Sequence, residues 1–206
     1  MAGLPDALQA ALEAWTARRD TAQMARDARA ISEAYRTKTG KGGRLLTGPG
    51  EAAAYAAARM PATYAAAQAA LAQALDASGL APRTLLDCGA GTGAVSWAAD
   101  GLLALERVTC LEREAAMRET GMALMRAGSG ALARAGWSAW DLTAAEPLPR
   151  ADLVCEGYML GELAEAERLP AARRLWDAAQ QMLLLVEPGT PQGFANLAAV
   201  RRDLAA

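Results

Sequence analysis

The sequence has 206 residues, of which 53% are hydrophobic and 21% are charged, and its formal net charge is −2. This length fits one α/β domain with a helical extension, and it excludes two large domains. The sequence contains no histidine, which excludes Ser-His-Asp and Cys-His nucleophiles, histidine metal ligands and histidine general bases.

Sequence signals for a membrane or an oxidising compartment are missing. No run reaches the ~18 uninterrupted apolar residues that a membrane span needs. Pro5 and Asp6 stand where a secretory signal would have a basic start and an apolar core. Cys88, Cys110 and Cys155 are odd in number and far apart, which predicts neither a disulfide framework nor a metal site. We therefore expect a cytoplasmic protein that holds no metal.

The N-terminal part of the chain, residues 1–78, is predicted to be an all-helical extension. Its first helix is expected just after the N-terminus, and a second is expected to begin at Asp20 or Thr21. Residues 51–76 form a long alanine-rich helical region. Pro61 should kink this region or start a new helix, because proline removes a backbone hydrogen bond.

A basic loop at residues 36–50 interrupts the helical pattern. It is not a Walker A loop, because Tyr35 stands at the first glycine position and no Lys-Ser/Thr pair follows at the required spacing. From Arg18 to Arg44 there are eight basic and three acidic residues, a net charge of +5, whereas residues 151–206 carry −3. Such an arm can bind a polyanion. The alternative is a solvated helix face and loop.

Short apolar runs alternate with helical stretches after Gly79, which predicts a parallel sheet covered on both faces. The fold class is therefore α/β, with a Rossmann-like sheet of about five parallel strands in residues 79–206. The strands are expected at about 83–88, 107–111, 137–140, 152–155 and 182–186.

A glycine-rich turn follows the first strand in Thr-Leu-Leu-Asp-Cys-Gly-Ala-Gly-Thr-Gly, residues 84–93. Glycines allow a tight turn and the close approach of a ligand, and the helix behind them presents free N–H groups. The spacing G-x-G-x-G differs from the G-x-G-x-x-G of dehydrogenases, which disfavours a nicotinamide-dependent oxidoreductase. It resembles the first motif of class I methyltransferases, where the methionine part of S-adenosylmethionine lies over the turn. The residues expected to contact the cofactor here are Asp87, Gly89, Ala90, Gly91 and Gly93.

Two further acids stand at the ends of the next two strands. Glu112 lies 19 residues after Gly93, where a carboxylate can accept hydrogen bonds from both hydroxyls of a ribose. Asp141 follows the third strand, where this fold usually places a group that binds the adenine amino nitrogen. The alternative for Asp141 is a helix cap.

The segment after the fourth strand is where class I methyltransferases bring the substrate to the methyl group. The Asp/Asn-Pro-Pro-aromatic signature of enzymes that methylate exocyclic amines and the Pro-Cys pair of cytosine-C5 enzymes are both absent. Catalytic residues are therefore not assigned. Glu156 and Tyr158 are the candidates for catalytic residues at the floor of the substrate pocket, and the alternative is that they only shape this pocket. Cys155 is disfavoured as a nucleophile, and Glu187 is expected at the same edge of the sheet.

Three stretches together carry a more specific resemblance. They are Arg-Met-Pro-Ala-Thr-Tyr at 59–64, the glycine-rich turn, and Gly-Tyr-Met-Leu-Gly-Glu-Leu at 157–163 with Val-Glu-Pro-Gly-Thr-Pro at 186–191. This combination resembles the methyltransferase-like family associated with assembly of the small ribosomal subunit, which has mitochondrial and bacterial members. The resemblance extends over residues 4–204. It implies that Arg59 and Tyr64 cap the cofactor pocket.

The resemblance also implies a function. It implies an S-adenosylmethionine-dependent methyltransferase that acts on ribosomal RNA or on a small-subunit component, with small-subunit RNA or a pre-ribosomal particle as its partner. The alternative is a non-catalytic assembly factor that binds the cofactor for folding or docking.

The C-terminal part differs from what the resemblance implies. Family members continue with a cysteine-rich, metal- or cluster-binding segment and two last strands, whereas no cysteine follows Cys155 here. We therefore expect residues 182–186 at an open edge of the sheet. The last helix, the N-terminal helices or a second copy in a homodimer would cover this edge.

Overall fold

The computed structural model describes residues 3–38, 48–141 and 146–206. The described residues form eight α-helices, five β-strands and one short 3-10 helix. In chain order these are α1 Asp6–Thr16, α2 Thr21–Lys38, α3 Pro49–Ser78, β1 Thr84–Cys88, α4 Ala94–Asp100, β2 Arg107–Leu111, α5 Ala115–Met125, α6 Gly130–Ala133, β3 Gly136–Ser138, β4 Ala151–Gly157, the 3-10 helix Leu160–Glu162, α7 Glu165–Ala178, β5 Ala179–Val186 and α8 Pro191–Leu204.

The five strands form one parallel sheet in the order β3-β2-β1-β4-β5. The predicted α/β fold is thus confirmed, and each predicted strand exists. Strand β3 is shorter than expected: it ends at Ser138 and leaves Trp140 outside the sheet. Strand β5 begins earlier than expected. The apolar pattern in the sequence does not reveal its start, because Gln180 and Gln181 are polar and exposed.

Helices α1 and α3 share one hydrophobic core with the sheet. Leu8 of α1 and Met60 of α3 belong to the same buried cluster as Leu85 of β1 and Val108 of β2. Burial of this apolar surface holds the helical part against the sheet. The division of the chain into two domains at residue 78 stays a prediction. None of the described helices is both long enough and apolar enough to cross a membrane.

Helix α3 runs unbroken from Pro49 to Ser78. A new helix at Pro61 was one of two expectations, and this one is wrong. The Pro61 ring lies on the exposed side of the helix, so that water can hydrogen-bond the backbone carbonyl that proline leaves without a donor. Helix α2 continues to Lys38, beyond the predicted start of the basic loop. Residues 39–47 of that loop lie outside the described residues.

Strand β5 forms the edge of the described sheet, as expected, and among the described residues it pairs with β4 alone. Helix α8 lies beside it and contacts α7. Strand β5 and helix α8 leave an open groove of about 440 Å³ between them. The groove is lined mainly by apolar side chains: Trp176, Leu183, Leu185, Leu197, Val200 and Leu204. The last helix thus lies beside this edge, and helix α3 of the N-terminal part also contacts β5. A homodimer through the edge stays a prediction.

Candidate functional site

The glycine-rich turn connects β1 to α4 in a backbone conformation that requires glycine. The φ angles of Gly89, Gly91 and Gly93 are 69°, 56° and 86°, in the left-handed region that residues with a side chain rarely adopt. The N–H groups of Gly89 and Ala90 donate to the carbonyl of Leu111 at 2.8 and 3.0 Å. The turn is therefore fixed to the end of β2.

Asp87 is fully buried at the end of β1. Its Oδ2 accepts hydrogen bonds from the backbone N–H of Ser96 at 3.1 Å and from the Ser96 hydroxyl at 2.6 Å. Its Oδ1 is also buried and has no hydrogen-bond partner among the described residues. Burial raises the pKa of Asp87 to about 6, although the bonds from Ser96 lower it. At neutral pH this carboxylate is mostly ionised and keeps one oxygen for a donor.

Two thiols flank Asp87 in the sheet. In the strand register Asp87 lies opposite Cys110 of β2 on one side and Cys155 of β4 on the other. All three cysteines of the chain are free and buried. Burial raises the pKa of the Cys155 thiol well above its ordinary value. A buried protonated thiol is inert, so the arrangement supports Cys155 as a packing residue of the strand.

Glu112 also reaches the turn. Its Oε2 accepts from the N–H of Gly91 at 2.9 Å, and its Oε1 accepts from the N–H of Glu114 at 2.8 Å. The side chain is half-buried, and burial raises its pKa. Each oxygen retains a second lone pair for a ligand. Glu112 thus both fixes the turn and remains available at its rim.

Asp141 lies at the same end of the sheet. Its Oδ2 is 3.6 Å from Nη1 of Arg113, the residue after Glu112, and its side chain is 41% exposed. The ion pair connects the segment after β3 to the segment after β2. Residues 142–145 lie outside the described residues, so the alternative role of Asp141 as a helix cap stays untested.

Methionine side chains surround the glycine turn. A Cβ atom on Gly89 would lie 2.6 Å from Met159 Sδ, and one on Gly93 would lie 2.8 Å from Met125 Cε. The hydroxyl of Thr92 contacts Sδ of Met60 at 3.7 Å. These contacts come from α3, α5 and the end of β4, and no motif in the sequence indicates them. The turn is thus closely packed on several sides.

Of the α3 residues expected to cap the pocket, Tyr64 lies away from the turn. Its hydroxyl is 3.7 Å from the position that a Cβ atom would take on Gly101. Gly101 follows the end of α4 that is farther from the glycines. Tyr64 is buried and accepts a hydrogen bond from Gln68 at 3.4 Å. Arg59 is exposed on α3, and its capping role stays a prediction.

A second acidic group follows β4. Glu156 is fully buried, and its Oε1 accepts hydrogen bonds from the backbone N–H groups of Met159 and Leu160. Its Oε2 is buried and has no partner in the described part of the chain. Burial, and then the charge of Glu187, raise the pKa of Glu156 to about 8. Near neutral pH its carboxyl group is therefore largely protonated.

Tyr158 and Glu187 lie beside this carboxyl group. The backbone N–H of Tyr158 donates to the carbonyl of Val186 at 2.8 Å, which places Tyr158 at the end of β5. Burial raises the pKa of its phenol, and the charges of Glu187 and Glu156 raise it further. Glu187 accepts from the N–H of Gly161 at 3.2 Å. The structure thus brings Glu156, Tyr158 and Glu187 together at one edge of the sheet.

Comparison with known proteins identifies the family. The family of the mitochondrial small ribosomal subunit protein Rsm22 matches residues 49–206. The chain belongs to the Rsm22 family. The human ribosome assembly protein METTL17, a mitochondrial protein, is 34% identical over 121 residues, which cover 56% of this chain and 26% of METTL17. The chain thus spans about a quarter of the length of this curated relative.

Solved structures of other proteins share this fold. The DhpI-SAM-HEP complex superposes with a TM-score of 0.53 at 21% identity, over 72% of this chain and 65% of that one. The plantazolicin methyltransferase BpumL, in complex with SAH, superposes with a TM-score of 0.51 at 13% identity, over 76% and 57%. At these identities the similarity shows the fold, which is the Rossmann-like methyltransferase fold expected from the sequence.

Proposed function

We propose that this member of the Rsm22 family binds S-adenosylmethionine at the glycine-rich turn. The observation that carries the proposal is the buried Oδ1 of Asp87, which has no hydrogen-bond partner in the described part of the chain and lies beside three left-handed glycines. A buried acceptor without a donor is unfavourable. A cationic donor from a ligand, directly or through a water molecule, would satisfy it.

The residues around the turn match the chemical groups of this cofactor. Its ammonium group suits Asp87, and its ribose hydroxyls suit the free lone pairs of Glu112. Its adenine amino group suits Asp141, which the structure holds at the same end of the sheet through Arg113. Gly89, Ala90, Gly91 and Gly93 allow the backbone to approach the ligand. These assignments are proposals that the arrangement supports.

The reaction that we propose is methyl transfer to ribosomal RNA or to another component of the small ribosomal subunit. The bound cofactor supplies an activated methyl group. At the end of β4 the Oε2 of Glu156 has no partner among the described residues, but it is fully buried, so that a substrate group would reach it only after the segment that follows β4 moves. Tyr158 and Glu187 would shape the same pocket. Membership of the Rsm22 family supports the ribosomal substrate.

A basic surface supports an RNA partner. Arg18, Arg26 and Arg29 are exposed on α2 and just before it, within the segment of net charge +5. Basic side chains bind phosphates and release counterions. The name of the human relative, a ribosome assembly protein, agrees with a ribosomal partner.

The second candidate function is an assembly factor that binds the cofactor without transferring its methyl group. The complete burial of Glu156 and of Cys155 favours it, because neither side chain is accessible to a substrate in this structure. The two functions differ in one assay. Purified protein, small-subunit particles and S-adenosylmethionine with a labelled methyl group would be incubated together. Label in the RNA or in a ribosomal protein supports the enzyme, whereas cofactor binding without labelling supports the assembly factor.

A further inference from the structure

Met159 fills the space above the first glycine of the turn. Its Sδ lies 2.6 Å, and its Cβ and Cε lie 3.4 Å, from the position that a Cβ atom would take on Gly89. Met159 and Gly89 are both half-buried, so that this contact lies near the surface. Met125 and Gly93 make the corresponding contact inside the core, where both residues are buried. A ligand that approaches Gly89 from solvent therefore meets Met159.

The backbone that carries Met159 is held in an unfavourable conformation. Tyr158, directly before it, has a φ angle of 65°, which residues with a side chain rarely adopt. Oε1 of Glu156 accepts the N–H groups of Met159 and Leu160. Glu187 accepts the N–H of Gly161 at 3.2 Å. Two carboxyl groups thus hold three successive N–H groups and oppose the strain at Tyr158.

We infer that Met159 is a movable cover of Gly89 that Glu156 positions, and that a ligand binding at the glycine turn displaces it. The inference rests on the proposed cofactor site and adds its regulation. Displacement needs little rearrangement, because a methionine side chain is flexible and unbranched. A movement of the segment away from Gly89 would also release the backbone strain at Tyr158. Only molecules in which Met159 has left Gly89 can bind the ligand. The apparent dissociation constant is therefore the dissociation constant of the open form divided by the fraction of molecules that are open.

The first test compares the affinity for S-adenosylmethionine of the full chain with that of Met159→Ala and of Met122→Ala. Met122 is an exposed methionine on α5 and serves as the matched control. We expect M159A to bind about three- to tenfold more tightly, with a faster association rate, and M122A to bind like the unchanged protein. Equal or weaker binding by M159A would overturn the inference. No binding by any of the three proteins would overturn the proposed function as well, which distinguishes the two failures.

The second test concerns the role of Glu156 as a positioning residue. A glutamine at this position keeps one oxygen that can accept both N–H groups, whereas leucine keeps the volume and removes the acceptor. We expect Glu156→Gln to bind S-adenosylmethionine like the unchanged protein and Glu156→Leu to bind as tightly as M159A. Equal binding by E156Q and E156L would contradict the positioning role.

A spectroscopic measurement tests whether the ligand displaces Met159. It does not depend on the Glu156 variants, so it remains informative if E156L does not fold. Protein labelled with 13C at the methionine methyl groups would be titrated with S-adenosylhomocysteine, and M159A and M122A would identify the two methyl signals. We expect a large shift of the Met159 signal and a small one of the Met122 signal. A Met159 signal that does not move at saturation would overturn the inference.

Discussion

Oε2 of Glu112 accepts a hydrogen bond from the N–H of Gly91 at 2.9 Å. The two residues are 21 positions apart in the sequence, and the bond joins the end of β2 to the turn after β1. We propose that this carboxylate at the end of the second strand has two functions. It fixes the conformation of the glycine turn and offers its remaining lone pairs at the rim of the proposed cofactor site.

The first prediction is that Glu112→Ala weakens binding of S-adenosylmethionine and leaves the protein folded. The loss of hydrogen bonds to a charged group should cost about 1.5–3 kcal/mol, roughly a ten- to hundredfold loss of affinity. Titration calorimetry measures it, and Glu119→Ala on the exposed face of α5 is the control. An unchanged dissociation constant for E112A would show that Glu112 does not contact the cofactor.

The second prediction concerns stability and pH. The pKa of Glu156 is about 8 in the folded protein, against an ordinary value of 4.5, so the unfolded chain releases this proton first as the pH rises. The folded state is therefore destabilised progressively between about pH 4.5 and pH 8, by up to about 1.4 kcal/mol per pH unit. Glu156→Gln, which stays neutral, should remove this part of the slope.

Urea unfolding at several pH values checks this prediction. The window from pH 6 to pH 8 is the most informative, because Asp87, with a pKa of about 6, contributes mainly below it. The free energy of unfolding of the unchanged protein should fall more steeply across this window than that of E156Q. Parallel curves for the two proteins would show that Glu156 ionises normally.

The third prediction is that Gly121→Ala destabilises the protein. Alanine usually stabilises a helix relative to glycine by about 1 kcal/mol. Here a Cβ atom would lie 2.4 Å from Cη2 of Trp137, so that the ring on β3 must move. We expect a net loss of about 1–3 kcal/mol in thermal unfolding. Gly136→Ala, where no atom lies within 4 Å of the added carbon, should change stability much less. A stabilised G121A would refute this packing argument.

The fourth prediction addresses RNA binding. Replacing Arg18, Arg26 and Arg29 by serine should weaken binding to small-subunit RNA and flatten the dependence of affinity on salt, by about 0.7–0.9 in logarithmic slope for each lost phosphate contact. Filter binding at several salt concentrations measures the slope. Arg201 and Arg202, exposed on α8, give a control variant of similar charge change. The same salt dependence in the unchanged protein and in both variants would show that the basic surface faces solvent and does not contact RNA.

The sequence predicted the parts of the site that depend on local pattern. The turn after β1 could be predicted because apolar Leu85 and Leu86, followed by Asp87 and three closely spaced glycines, are typical of a buried strand that leads into a tight turn. The position of Glu112 beside this turn could be predicted because the C-terminal ends of neighbouring parallel strands meet at one edge of the sheet.

Contacts between distant segments could not be predicted in this way. The contact of Met60 with Thr92 joins residues that are 32 positions apart, and the position of Met159 over Gly89 depends on how the segment after β4 folds back. Tyr64 was expected at the pocket and lies at the other end of α4, because periodicity shows which face of a helix is apolar but not how far along its neighbour it packs.

Titration calorimetry with S-adenosylmethionine, on the unchanged protein and on Asp87→Asn, tests the cofactor site. Asparagine keeps the size of Asp87 and an oxygen for the Ser96 hydrogen bonds, and it removes the charge that would pair with the ammonium group. Because burial disfavours the charged carboxylate, D87N should be at least as stable as the unchanged protein. We expect saturable one-site binding by the unchanged protein and at least tenfold weaker binding by D87N. The absence of binding by the unchanged protein, or equal binding by both, would contradict a cofactor site at this turn.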